Sequence, residues 1–236
     1  MTYSIQKNDT SNISLYQAKQ VTIPNKDTVI KNQSSQKKSY QNYTKLQYIQ
    51  KRAIDYTVGS ILLLVAMPAI IYSIYRIKKE SPGPIFFKQS RIGLNGKPFT
   101  CYKFRSMHVN SKFNPYTQEN DSRIFPFGNT MRKMRIDELP QLLNIIKGEM
   151  HLIGPRAEWD ILVKDYETVI PNYHDRHLVA PGITGLAQVQ YPYGRNIQDA
   201  KNKLKYDRIY IDSWSLGLEL KVVWKTIEVI LGKKGM

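Results

Sequence analysis

Across residues 56–75 the chain carries twenty consecutive uncharged residues, and Ile61-Leu62-Leu63-Leu64-Val65-Ala66-Met67 within them is continuously apolar. That is about the length a helix needs to cross the hydrocarbon core of a bilayer. Two features argue against a simple crossing. Pro68 stands near the middle, where it removes a backbone hydrogen bond and kinks a helix. Basic residues also stand at both ends, with Lys51 and Arg52 before the run and Arg76, Lys78 and Lys79 after it. The positive-inside rule then keeps both ends on the cytoplasmic side. The expectation is a re-entrant membrane helix with its flanks over residues 46–80, bending at Met67-Pro68; a straight span is the alternative.

The flanking sequence is different in kind. Residues 1–45 are rich in Ser, Thr, Asn, Gln, Lys and Tyr without a sustained apolar period, which predicts a disordered basic tail. Residues 1–9 hold no apolar run, so no signal peptide is expected there. The formal charge of +16 favours anionic partners: nucleic acid, acidic lipid or phosphorylated substrates. Cations beside an apolar segment fit a membrane lipid surface, so nucleic acid is not expected. The one cysteine, Cys101, excludes an internal disulfide framework and reads as packed rather than reactive.

Residues 81–236 predict one compact mixed α/β domain. Ser81-Pro82-Gly83-Pro84 reads as a turn and Ile85-Phe86-Phe87 as a strand. Asn95-Gly96 signals a hairpin before the strand Phe99-Thr100-Cys101-Tyr102-Lys103-Phe104. Over residues 137–147, Leu139, Leu142, Leu143 and Ile146 share one face of a predicted helix. Residues 214–231 carry an apolar face beside Lys221, Lys225, Lys233 and Lys234. Lying in the membrane interface as an amphipathic helix and packing on the core both remain open for them.

Chemistry points to Asp137-Glu138, adjacent carboxylates just after Arg132, Lys133 and Arg135. An Asp at a helix start is usually a cap. Here Pro140 lacks the N–H that a capping Asp137 would use, which frees the carboxylate to face a ligand. The helix dipole and the arginines would keep Asp137 ionised and draw phosphate to the same place. Such a carboxylate attacks phosphorus or holds Mg²⁺. Spacing alone leaves the capping role open.

From Lys51-Arg52 to the C-terminus the chain carries an ordered set of motifs: Lys51-Arg52 with Asp55, Ser81-Pro82-Gly83-Pro84-Ile85-Phe86-Phe87-Lys88-Gln89, Arg91-Ile92-Gly93 and Tyr102-Lys103-Phe104-Arg105-Ser106-Met107. Asp137-Glu138-Leu139-Pro140-Gln141-Leu142, Gly148-Glu149-Met150, Gly154-Pro155-Arg156, Pro181-Gly182-Ile183-Thr184-Gly185 and Ala187-Gln188-Val189 complete it. In this set the chain resembles the bacterial sugar transferases, the monotopic phosphoglycosyl transferases. The resemblance implies transfer of a sugar phosphate from a UDP-sugar to undecaprenyl phosphate with release of UMP, at the cytoplasmic face of the bacterial plasma membrane. It implies Asp137 as nucleophile in a covalent phosphosugar intermediate. Glu138 would assist, as a Mg²⁺ ligand or by orienting the acceptor phosphate, and Mg²⁺ is the expected cofactor, held at Asp137. Three departures stand out: Ala157 where a second proline commonly follows, Leu186 where Trp is frequent, and Met67 where Ser often precedes the proline.

Lys103 and Arg105 alternate along a predicted strand, so both project from one face. With Arg132 and Arg156 they are the candidate substrate-binding cations; Arg195 reads as a solvated one, and Arg176 and His177 as structural or ligand-contacting. His174 and His177 stand at i, i+3 without a third metal ligand at suitable spacing, and read as structural. Apart from the resemblance, a non-catalytic membrane-attached scaffold is the competing class.

Overall fold

The computed structural model describes residues 44–109, 111, 121–191 and 196–232. The expected tail lies, but for its last two residues, outside the described residues, as do Arg195, Lys233 and Lys234. Helix α1, Lys45–Glu80, is continuous, with Pro68 inside it. Thr44 caps it: its side chain accepts from the Gln47 N–H while the Gln47 side chain accepts from the Thr44 N–H. The hairpin follows, β1 (Phe86–Ile92) pairing antiparallel with β2 (Pro98–Phe104). Its turn needs two left-handed residues, and Asn95 (φ 54°) and Gly96 (φ 72°) supply them.

After α2 (Pro126–Lys133), a 3₁₀ turn at Ile136–Glu138 carries the acidic pair, and α3 runs only from Gln141–Ile146. The predicted continuous helix over residues 137–147 is therefore two pieces. Pro140 starts α3 anew, so the apolar face shifts: Leu142 and Ile145 are buried while Leu143 is exposed. Strand β3 (His151–Ile153) pairs parallel with β4 (Gly182–Thr184), with α4 (Asp160–Val169) and a 3₁₀ turn (Tyr173–Leu178) between them. Short α5 (Leu186–Gln190), then α6 (Ile197–Asp212) and α7 (Leu216–Leu231), close the described chain. Helix and strand are mixed as expected, with two two-stranded sheets among the described residues.

Both ends of α1 are built into this domain. Near its start, Lys51 donates to the Ile153 carbonyl (2.9 Å) and to the Tyr210 hydroxyl (3.1 Å), and pairs with Glu219. Arg52 donates to the carbonyls of Met150 (3.0 Å) and Ile145 (3.3 Å), and Asp55 accepts from the Leu152 N–H (2.9 Å) and pairs with His151. At the other end Ile77 packs with Phe104, Phe125, Phe127 and Met131, while Glu80 accepts from the Phe127 N–H (2.7 Å). This corrects the reading of the N-terminal flank: Lys51 and Arg52 are buried ties into the domain rather than cations at a lipid surface. Between the ends, Ile61, Leu62, Leu64, Val65 and Ile71 are exposed, and 11% of the most apolar stretch of α1 is buried. Helix α7 packs on the core through one face and leaves an apolar face exposed. Val222 and Glu219 face the core, while Leu220, Val223, Trp224 and Ile227 are exposed.

Candidate active site

The acidic pair sits where three segments converge. Arg135 begins the 3₁₀ turn in the left-handed region (φ 58°), a conformation that costs a non-glycine residue energy and reverses the chain sharply after α2. Asp137 and Glu138 then turn inward and are buried. Neither the turn, which starts from Arg135, nor α3, which starts from Pro140, has a side-chain cap bond.

The two carboxylates differ. Glu138 Oε1 accepts from Lys103 Nζ (2.8 Å), at the end of β2, and from Arg156 Nη2 (2.9 Å). Asp137 Oδ1 is buried and accepts no hydrogen bond from the described residues. Burial by itself would raise the Glu138 pKa. The charges of Arg156, Lys103 and Arg135 outweigh it and hold Glu138 well below the ordinary carboxylate range. For Asp137, burial and then the adjacent Glu138 charge push upward, and Lys103, Arg132 and Arg135 only partly pull it back. The net upward direction opposes the expectation that the helix dipole and the arginines keep Asp137 ionised. Burial is the influence that sequence could not supply. Glu138 is thus the neutralising anion of a cationic cluster, and Asp137 the carboxylate with a buried, unbonded oxygen.

Arg156 owes its place to a close approach of two loops. Gly154 N donates to Thr184 O (2.9 Å) and Gly182 N to Pro155 O (2.9 Å). A Cβ at Gly182 would lie 2.1 Å from Gly154 N, and one at Gly185 would lie 2.0 Å from Gly154 O. The Gly154-Pro155-Arg156 and Pro181-Gly182-Ile183-Thr184-Gly185 motifs are two halves of one backbone contact, with β3 and β4 behind them. Arg176 supports it from below: buried, bonded to Asp207 (3.0 Å) and the Tyr173 hydroxyl (2.8 Å), it donates Nη2 to the Arg156 carbonyl (2.9 Å). Arg91 holds the next residue through the Ala157 carbonyl.

Of the candidate cations, Lys103 and Arg156 meet at Glu138, and half-buried Arg132 acts on Asp137 through its charge. Arg105 goes elsewhere. It is buried against the turn after α1, donating to Pro84 O (2.5 Å), Ser81 Oγ (2.6 Å) and Ser81 O. Sequence reasoning missed Arg135 as the left-handed pivot and Glu167 as a neighbour of His174 and His177. No local residue pattern announces either. Leu186, where Trp is frequent, is buried in the core with Ile153 and Tyr210.

The family described as bacterial sugar transferase matches residues 46–233. The chain is 42% identical over 183 residues to a UDP-N-acetylgalactosamine-undecaprenyl-phosphate N-acetylgalactosaminephosphotransferase of Aeromonas hydrophila, covering 77% of this chain and 43% of that protein. It is 38% identical over 191 residues to a UDP-glucose:undecaprenyl-phosphate glucose-1-phosphate transferase of Xanthomonas campestris pv. campestris, covering 79% and 40%. An exopolysaccharide production protein of Rhizobium leguminosarum bv. phaseoli is 36% identical over 198 residues, covering 80% of this chain and 99% of its own length. The match to the first two spans about two fifths of their length. A match over residues 46–233 takes in α1, the acidic pair and both halves of the Arg156 contact, and the chain belongs to the bacterial sugar transferase family.

Proposed function

We propose that this chain transfers a sugar 1-phosphate from a UDP-sugar to undecaprenyl phosphate, releasing UMP, at the cytoplasmic face of the bacterial plasma membrane. The step would open assembly of an exopolysaccharide, capsule or O-antigen. The observation that carries the reading is the inequality of the two carboxylates: Glu138 is occupied by Lys103 and Arg156, while Asp137 Oδ1 has no bond from the described residues. The names of the relatives supply the substrate classes.

In the first displacement a carboxylate oxygen of Asp137 bonds to the β-phosphorus. The bond from that phosphorus to the oxygen bridging the α-phosphate breaks, and UMP leaves with that oxygen. In the second, an oxygen of undecaprenyl phosphate bonds to the same phosphorus and the Asp137 carboxylate departs. Two displacements replace one difficult transfer. Lys103, Arg132 and Arg156 surround the phosphoryl oxygens with charge, and Glu138 holds Lys103 and Arg156 in register. Asp137 fits Mg²⁺ as a hard oxygen ligand with an unbonded buried oxygen. Bound there, the ion would offset the charge of the diphosphate.

The two ends of α1 support a re-entrant placement in the membrane. Its two ends tie to the same domain, through Lys51 and Arg52 at one and Ile77 and Glu80 at the other. A helix crossing the bilayer would carry one end roughly 30 Å away, on the far side. The re-entrant course keeps both ends with the domain and leaves the exposed apolar residues of α1 and α7 for lipid.

The test is Asp137→Asn. Wild type incubated with UDP-sugar and no lipid acceptor should gain the mass of a sugar phosphate on Asp137, and the variant should gain none and lose orders of magnitude in turnover while folded. An adduct on another residue, or near-normal turnover by the variant, would defeat the assignment. A wild type that releases no UMP from any UDP-sugar would favour the scaffold class.

A further inference from the structure

Away from the acidic pair, Glu167 near the end of α4 lies beside His174 and His177 of the following 3₁₀ turn. Sequence spacing left the two histidines without a third ligand, and the fold brings one. A 3₁₀ turn has three residues per turn, so side chains at i and i+3 eclipse. His174 and His177 therefore project on the same side, ring centroids 5.5 Å apart. Asn172, in the left-handed region (φ 58°), turns the chain back so that both rings meet the α4 carboxylate.

The distances suit a small cation. Glu167 Oε1 lies 3.1 Å from His174 Nδ1 and 3.9 Å from His177 Nδ1, and one ligand atom from each residue lies within 4.8 Å of the others. Tetrahedral zinc with metal–ligand bonds of about 2.0–2.2 Å needs ligand atoms roughly 3.3 Å apart. His177 adds an independent observation. Its side chain is 6% exposed, and neither ring nitrogen has a hydrogen-bond partner among the described residues. Buried imidazole nitrogens in native proteins nearly always have one. Glu167 (39% exposed) and His174 (57%) open the cluster to solvent, so an ion has a way in.

We propose that Glu167, His174 and His177 form a transition-metal site of the zinc class, with its fourth position open to water. Two imidazoles and one carboxylate are a set that zinc takes and magnesium does not. The site would clamp the 3₁₀ turn to α4. Arg176, between the two histidines, buttresses the Arg156 carbonyl, so the clamp braces the support of the active-site cation.

Cobalt(II) is the probe, because tetrahedral nitrogen–oxygen coordination gives visible bands far stronger than octahedral oxygen sites do. The full chain, purified without a polyhistidine tag and stripped with chelator, is titrated with Co²⁺. One equivalent should saturate a tetrahedral spectrum in wild type and equally in Asp137→Asn, which removes the acidic-pair ligand. Glu167→Ala and His174→Ala change exposed side chains and should weaken binding by at least about tenfold. The proposal fails if no tetrahedral band forms at one equivalent, if the band survives both substitutions, or if it vanishes in Asp137→Asn.

Discussion

Replacing Lys51 by Met separates two accounts of the basic residues that precede the apolar run of α1. If Lys51 sat at the lipid surface, its loss would change stability by no more than about 0.5 kcal/mol. In the structure it is 1% exposed and shares Glu219 with the Tyr210 hydroxyl (2.8 Å) and Trp214 Nε1 (2.8 Å). Met fills a similar volume but leaves the Glu219 carboxylate buried without its counter-charge. Breaking a buried pair from one side costs about 3–5 kcal/mol. For a chain of this size that is a fall in Tm of roughly 6–20 °C. The double variant Lys51→Met/Glu219→Gln removes both charges and keeps an acceptor for Tyr210 and Trp214, so it should recover at least half of the loss. Thermal unfolding in one fixed detergent or nanodisc gives all four corners of the cycle. A single variant within about 0.5 kcal/mol of wild type, or a double variant as damaged as the sum of the singles, would refute the buried tie.

Gly182→Ala would press a methyl group to 2.1 Å from Gly154 N and 2.5 Å from Thr184 O, both backbone atoms that cannot swing aside. It should cost about 3 kcal/mol or more, a fall in Tm of roughly 6–12 °C, with turnover lost as Arg156 moves; unchanged stability would show that the two loops do not meet as described. Arg105→Lys should lower Tm, because an ammonium cannot reproduce the fork onto Ser81 and Pro84, while leaving KM for the UDP-sugar unchanged. A raised KM at unchanged Tm would instead return Arg105 to the substrate.

What could be read along the chain was whatever a local rule governs. The apolar run is legible because length and charge alone define it, and the hairpin because Asn95 and Gly96 are residue types that tolerate the left-handed region their turn adopts. Pro140 disclosed, through a missing N–H, that Asp137 does not cap its helix. The same residue misled the count of the apolar face, since a proline that restarts a helix also resets its phase. Lys51 and Arg52 were misread for a different reason. Their meaning depends on carbonyls at Ile145, Met150 and Ile153, about a hundred residues away, which the turns of the domain leave in need of donors. Strand alternation put Lys103 and Arg105 on one face, but their partners come from segments that alternation does not describe: the acidic turn for one, the turn after α1 for the other.

The glycines of the two loop motifs carry this furthest. Gly154 and Gly182 look like ordinary turn residues until the other loop is in place, and only then does the absence of a side chain have a cause. The backbone contact they permit fixes where Arg156 leaves the chain. Arg156 and Lys103 together engage Glu138, and that engagement is what distinguishes Glu138 from Asp137. The reactivity proposed for Asp137 therefore rests on glycines further along the chain, Gly154 and Gly182. A sequence can list such residues in the right order, but only folding shows that they act on one another.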